Sequence, residues 1–90
     1  MATAIVLLNV ETQNTNQVAE ALASIPGVSE VYSLAGHFDL VAIIRVTNNE
    51  ALADLVTLQI RGVPGIKTSQ TLIAFRAYSR HDLDALICLD

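Results

Sequence analysis

The unbroken apolar run at residues 40–44 constrains the fold of this chain more than any other feature. It follows a turn-like stretch, Gly36-His37-Phe38-Asp39, and ends at the charge of Arg45. A short run of branched apolar residues that is bounded by turn residues predicts a buried strand rather than a helix. Because apolar and polar residues do not alternate along the run, we expect both faces of this strand to be covered.

The order strand, helix, strand occurs twice along the chain. Strands are predicted at residues 3–10, 28–35, 39–46 and 66–77, and apolar residues recur at helical spacing between the strands of each pair. Two such units in tandem predict an α+β, ferredoxin-like fold, β-α-β-β-α-β, with an antiparallel sheet and two helices on one face. Right-handed crossovers place the first and third strands in the centre of the sheet.

Capping motifs predict where the two helices begin, and Pro-Gly steps predict where they end. Asn14 followed by Gln17, and Thr47 followed by Glu50, have the spacing of a capping box. Each helical segment is then closed by a Pro-Gly step, which cannot continue a helix.

The sheet face away from the helices has no cover within this fold, although both central strands are apolar on both faces. Leaving one such face in water forfeits about 5–10 kcal/mol, as much as the stability of a domain. We therefore expect a two-fold homodimer, sheet against sheet. The alternative is that the C-terminal extension, residues 79–90, folds back over its own sheet. The two alternating sets of central-strand residues are Ala4, Val6, Leu8, Leu40, Ala42 and Ile44, and Ile5, Leu7, Val41 and Ile43.

Length and composition predict one cytoplasmic domain without a cofactor. The 90 residues carry a net charge of −4, and only five scattered residues are basic, which argues against direct binding of DNA. No apolar run approaches the roughly 18 residues of a membrane span, and no secretory signal is recognisable. The single cysteine, Cys88, excludes an internal disulfide and a cysteine-based zinc site.

Few residues are candidates for chemistry. His37 and Asp39 could act together as a general base or in a metal site, or His37 could be solvated while Asp39 bonds backbone amides of the turn. Residue types favour the second alternative. Asn9 and Arg45 lie at equivalent ends of the two central strands and could both face a pocket, or equally could mark where the sheet meets water. No nucleophile–base pair or phosphate loop is present, so we predict neither an enzyme nor a metal site.

The stretch from Val31 to Leu40, with its G-x-x-D turn Gly36-His37-Phe38-Asp39, resembles the effector domain of the Lrp/AsnC transcription factors, also called the RAM domain. The later Val63-Pro64-Gly65-Ile66 step is weaker support, and the resemblance covers about residues 3–77. It implies a ligand-binding domain whose dimers assemble into rings, commonly octamers, with an amino acid or similar metabolite bound between dimers. The family's DNA-binding helix-turn-helix has no counterpart before the first strand. The resemblance therefore implies a stand-alone domain, which could act alone or associate with full-length relatives.

The same resemblance implies a set of binding residues. Asp39 occupies the family's acidic position and could accept the ammonium group of an amino acid. The backbone N–H groups of Gly36 and His37 could receive its carboxylate, because a residue without Cβ allows close approach. His37 and Phe38 occupy variable positions that would set ligand preference, and Thr71 and Leu72 fall where the family's fourth strand lines the pocket.

Two other functions share this topology. A small dimeric α+β barrel enzyme of the monooxygenase or isomerase type would need polar residues that point inward from its strands, and the central strands here offer almost none. A purely structural oligomerisation module would keep the assembly without a ligand. Screening amino acids by thermal shift separates this last function from the regulatory one.

Overall fold

Four strands form one antiparallel sheet in the computed structural model, which describes residues 1–78. Its order is β2-β3-β1-β4, so the two most apolar strands form the central pair. These two strands pair antiparallel, with Ala2 opposite Val46 and Leu8 opposite Leu40. The predicted ferredoxin-like arrangement is confirmed. The strand bounds are Ala2–Val10 for β1, Val28–Ser33 for β2, Leu40–Val46 for β3 and Ile66–Ala74 for β4.

Both edge strands are shorter than the sequence pattern predicts. The pattern extends β4 to residue 77, but the strand ends at Ala74, which lies opposite Thr3 near the start of β1. Beyond this point β1 has almost no backbone left to accept or donate hydrogen bonds, so pairing stops. β2 ends at Ser33 rather than at residue 35, because the next residues already belong to the turn before β3.

One helical segment connects β1 to β2, and a second connects β3 to β4. Helix α1 is Thr15–Ala23 and follows a 3₁₀ turn, Thr12–Asn14; helix α2 is Asn49–Asp54 and continues as a π-helical segment, Leu55–Ile60. The N–H of Arg61 donates to the carbonyl of Val56, five residues earlier, as π-helical spacing requires. None of these helices is long and apolar enough to cross a membrane.

Both predicted capping boxes are wrong in detail. The side chain of Asn14 makes no capping hydrogen bond, because the 3₁₀ turn leads the backbone directly into α1. At α2 the cap is Asn48 rather than Thr47, and Asn48 Oδ1 accepts a hydrogen bond of 2.8 Å from the N–H of Ala51. Asn48 has the extended backbone that an N-cap needs (φ −155°, ψ 175°).

The core lies between the helices and one face of the sheet. Along β1, buried and half-buried residues alternate strictly, which is the period of a strand with a single core face. Within residues 1–78, every buried side chain is apolar. From the sheet these residues are Ala2, Ala4, Val6, Leu8, Val10, Leu40, Ala42 and Ile44, and from the helices they are Val18, Leu22, Leu52, Leu55 and Ile60.

The opposite side of the sheet, which we call the open face, carries the second apolar set. Its central residues are half-buried by their neighbours alone: Ile5, Leu7, Val41 and Ile43. Leu72 of β4 lies opposite Ile5 and extends the apolar area to the edge, where it is 42% exposed. No helix of the described chain covers this face. The alternative cover, the extension at residues 79–90, lies outside the described residues.

Candidate ligand-binding site

Three hydrogen bonds of 2.9 Å hold the β2–β3 loop (residues 34–39), which contains the G-x-x-D turn. The N–H of Leu34 donates to the carbonyl of Asp39, and the N–H of Asp39 donates to the carbonyl of Leu8. In addition, the N–H of Val10 donates to Asp39 Oδ2. Asp39 therefore joins the loop to the end of β1 through both its backbone and its side chain.

Gly36 forms the open part of this loop. Its φ of +152° lies where residues with a side chain are strained, and no atom stands within 4 Å of the position that a Cβ would occupy. The backbone conformation, and not crowding, thus requires glycine here. His37 beside it is exposed, and Phe38 is half-buried. A small molecule would find unobstructed backbone at Gly36 and two side chains next to it.

The geometry of Asp39 is that of a carboxylate bonded to a backbone amide. The amide belongs to Val10 of β1, whereas the sequence interpretation placed it inside the turn. β3 begins only at Leu40, so His37 and Asp39 do not lie on one strand face. An ionised carboxylate has two oxygens and about four acceptor positions, so the bond to Val10 leaves acceptor capacity on Asp39.

The domain does not bring Thr71 and Leu72 together with the β2–β3 loop. β4 and β2 are the two opposite edges of the sheet, with β3 and β1 between them. Thr71 lies opposite Val6 on the helix side, whereas Leu72 lies opposite Ile5 on the open face. The six residues implied by the resemblance therefore form one compact loop and two positions on opposite sides of another strand, β4.

A groove of about 260 Å³ lies between α2, its π-helical continuation and β4, and we call it the α2–β4 groove. Its lining contains no charged side chain. The hydroxyl of Thr57 is already engaged, because it donates to the carbonyl of Ala53 at 2.7 Å. The lining residues are Asn49, Leu52, Ala53, Val56, Thr57, Thr71 and Ile73.

Of the groove residues, sequence reasoning identified only Thr71 as a binding residue. The signal that could have revealed the groove is the pair Thr71 and Ile73, two residues apart on an edge strand and hence on one face. Val56 packs partly against the core and is half-buried at the groove wall.

A polar cluster lies on the β2–β3 side of the open face. Tyr32 Oη donates to Glu30 Oε2 at 2.8 Å, and Arg45 Nη1 lies 3.5 Å from Glu30 Oε1. The hydrogen bond to Glu30, followed by the negative charge of Glu30, raises the pKa of Tyr32 above its usual value of 10.0. The ion pair is about half exposed, so it contributes only about 0–1 kcal/mol.

Of the two alternatives for Asn9 and Arg45, a shared pocket does not fit the sheet. β1 and β3 run antiparallel, and Arg45 lies opposite Thr3 at the other end of the sheet from Asn9. Asn9 instead donates through Nδ2 to Thr68 Oγ1 at 3.1 Å. Within residues 1–78, no cluster of three or more His, Cys, Asp or Glu side chains could hold a metal ion.

Comparison with known proteins identifies relatives of this chain. The crystal structure of TTHA0845 from Thermus thermophilus superimposes with a TM-score of 0.82 at 44% identity, over 89% of this chain and 100% of that chain. An HTH-type transcriptional regulator of Pyrococcus abyssi is 39% identical over 59 residues, which are 66% of this chain and 39% of that regulator. The present chain thus corresponds to well under half of that relative's length.

A more distant structure shares the fold alone. The transcriptional regulator NMB0573 from Neisseria meningitidis, solved as a complex with L-Met, has a TM-score of 0.77 at 15% identity, over 88% of this chain and 53% of that chain. The family model described as "Lrp/AsnC ligand binding domain" matches residues 3–84, nearly the whole chain. This chain therefore belongs to the Lrp/AsnC family of transcription regulators and contains its ligand-binding domain.

Proposed function

We propose that this domain is a regulatory module that binds an amino acid or a similar small metabolite and performs no catalysis. The observation that carries the proposal is the β2–β3 loop, in which open backbone at Gly36 stands beside the anchored carboxylate of Asp39. Membership of a family of ligand-binding domains supports it. The complex of the Neisseria regulator with L-Met supports an amino acid as the ligand class.

An amino acid needs an anion for its ammonium group and N–H donors for its carboxylate. In this proposal Asp39 accepts the ammonium with the capacity that Val10 leaves free, and the N–H groups of Gly36 and His37 receive the carboxylate. His37 and Phe38 then contact the ligand side chain and set preference. The anchoring of Asp39 to β1 serves the site because a charge held in place loses little freedom on binding.

The open face is proposed to bind a second copy of the domain. Its centre is apolar, and its one acid and one base in β2 and β3, Glu30 and Arg45, neutralise each other within the chain. Identical surfaces therefore meet without net repulsion in a two-fold dimer, although the chain as a whole carries a charge of −4. In a monomer this apolar area would be exposed to water, which is unfavourable.

Assembly of dimers into an octamer or similar ring is the second level of the proposal. Thr71 and Leu72 lie on β4, the edge strand opposite β2, and point to opposite sides of the sheet, so in this proposal at most one of them contributes to a given ligand site, from a neighbouring copy. A ligand between dimers would then couple binding to assembly. Full-length relatives of the family could supply some of the copies. Such a regulator would act in the cytoplasm, on metabolites there, without binding DNA through this domain.

The α2–β4 groove could serve as an active site, but its lining does not support the enzyme alternative. None of its seven lining residues is an acid, a base or a thiol. A barrel enzyme of the monooxygenase or isomerase type would need such a group, or a bound cofactor, near its substrate.

A thermal-shift screen against the twenty amino acids, with L-methionine as the first probe, tests the proposed function. Calorimetric titration then compares the wild type with Asp39→Asn, and with Glu20→Gln as a control for an exposed carboxylate on α1. We expect Asp39→Asn to weaken binding about ten- to a hundredfold, since a charge-assisted hydrogen bond is lost. Unchanged affinity would refute the site. Absence of any stabilising amino acid would instead favour a structural oligomerisation module.

A further inference from the structure

The helix side of β4 is the least covered part of the sheet. Helix α1 packs chiefly over β2 and β3, and α2 chiefly over β3 and β1, so β4 has the least cover from the helices. Ile73, which lies opposite the fully buried Ala4, is still 52% exposed, and Phe75 just beyond the strand is 97% exposed. Exposed large apolar side chains beside a groove indicate an interaction surface.

The chemistry of the α2–β4 groove selects an apolar occupant. Its walls are Ala53 and Val56 on the helical side and Ile73 on the strand side, above the core residue Leu52. An amino acid would find no charged side chain here to pair with either of its own charges, which is costly in a mainly apolar site. Aliphatic side chains from a peptide segment carry no charge and need no such partner.

We propose that the C-terminal segment of the same chain, residues 79–90, packs its apolar side chains into the α2–β4 groove. Four large apolar residues of this segment recur at helical spacing: Leu83, Leu86, Ile87 and Leu89. The chain leaves β4 at Ala74, one residue after the groove residue Ile73. The chain therefore leaves the sheet beside the groove, and the segment begins five residues later.

Length and tethering favour this occupant over others. An eight-residue helix is about 12 Å long, and the eight residues from 75 to 82 can span up to roughly 28 Å, which is ample for a return to the groove. A short tether gives an effective concentration on the order of millimolar, far above that of a second copy at micromolar concentration. The open face spans all four strands, whereas the groove is confined to α2, its π-helical continuation and β4.

Cysteine crosslinking provides a direct test in the full chain, with Leu86→Cys as the reacting residue of the segment in a Cys88→Ser background. Cys88 itself is unsuitable, because on a helical wheel it lies opposite Leu83, Leu86 and Ile87. Ala53→Cys and Thr57→Cys place a partner on the exposed groove side of the helix, one turn apart. Leu7→Cys on the open face and Ala23→Cys on α1 are the controls. Under mild oxidation at low micromolar concentration, we expect a disulfide within one chain at position 53 or 57, mapped by peptide mass, because a disulfide needs Cα atoms within about 7 Å.

Each other result of this oxidation would overturn the proposal. A disulfide within the chain to the Leu7→Cys variant alone would place the segment on its own open face. Disulfides only between chains would mean that a second copy supplies the segment. No disulfide at either groove position would leave the groove without this occupant.

A thermal double-mutant cycle provides a second readout that needs no oxidation. Ile73→Ala and Leu86→Ala are each expected to lower the Tm by roughly 4–8 °C, and the double variant by clearly less than the sum, because both remove one contact. The control pair is Leu58→Ala with Leu86→Ala, since Leu58 is 72% exposed on the same helical segment but does not line the groove. Strictly additive shifts for Ile73 and Leu86 would refute the contact.

Discussion

The carboxylate of Asp39 accepts a hydrogen bond of 2.9 Å from the backbone N–H of Val10, the last residue of β1. The register between β1 and β4 shifts between Asn9 and Val10, and such an irregularity disturbs the ladder of backbone hydrogen bonds. Asp39 supplies an acceptor at this point, since a half-buried N–H needs a partner. Asp39 thereby completes the hydrogen bonding at the end of β1 and holds in place the loop that carries the candidate site.

Replacing Asp39 separates its structural role from its charge. Asp39→Ala should lower the free energy of unfolding by roughly 1.5–3 kcal/mol, because the N–H of Val10 loses a charged acceptor. Asp39→Asn keeps an acceptor oxygen and should lower it by clearly less. Urea denaturation of both variants measures the difference. Equal stability of Asp39→Ala and the wild type would contradict this role of the hydrogen bond.

Ile43 and Ile44 are neighbours in β3 that face opposite sides of the sheet. Ile44 is fully buried in the core, so Ile44→Lys should prevent folding, as circular dichroism would show. Ile43 lies on the open face, so Ile43→Lys should leave a folded domain that sediments as a monomer at micromolar concentration. A wild-type domain that is itself monomeric, or an Ile43→Lys variant that stays dimeric, would refute the proposed dimer.

Asn48 and Asn14 precede the two helices but differ in capping. Asn48→Ala removes the hydrogen bond to the N–H of Ala51 and should lower the free energy of unfolding by about 1 kcal/mol. Asn14→Ala should change it much less, because the Asn14 side chain forms no cap. Thermal melts of the two single variants test this ordering, and equal losses would show that the assigned caps are wrong.

Tyr32 should titrate above the usual pH range of a tyrosine. Its pKa is raised chiefly by the hydrogen bond to Glu30, so Glu30→Gln should lower it and Arg45→Gln should raise it further. Because this pKa is higher in the folded than in the unfolded chain, the interaction stabilises the fold fully below about pH 10. That contribution is lost as the pH rises through the folded-state pKa. Ultraviolet titration in a Tyr78→Phe background isolates Tyr32, and an unchanged pKa in Glu30→Gln would contradict the cause.

The β-α-β-β-α-β order could be predicted from the sequence because its signals are local. Apolar runs, helical spacing and Pro-Gly steps each act within about ten residues, and the crossover rule then places β1 and β3 in the centre. Strand ends were less predictable: β4 ends at Ala74 because β1 begins at Ala2, a relation between residues at opposite ends of the described chain. The Gly36–Asp39 turn was identified for the same local reason as the strands, since its residues are consecutive.

The sequence by itself determined that both faces of β1 and β3 are apolar, that a tight turn precedes β3, and that the chain resembles a ligand-binding family. Only the tertiary structure decided which apolar set faces the helices, that Asp39 bonds Val10, and that Thr71 and Leu72 point to opposite sides of an edge strand that does not carry the loop. The strand period of two allows each set of side chains to occupy either face. The choice depends on where the helices pack, and that is a property of contacts between distant parts of the chain.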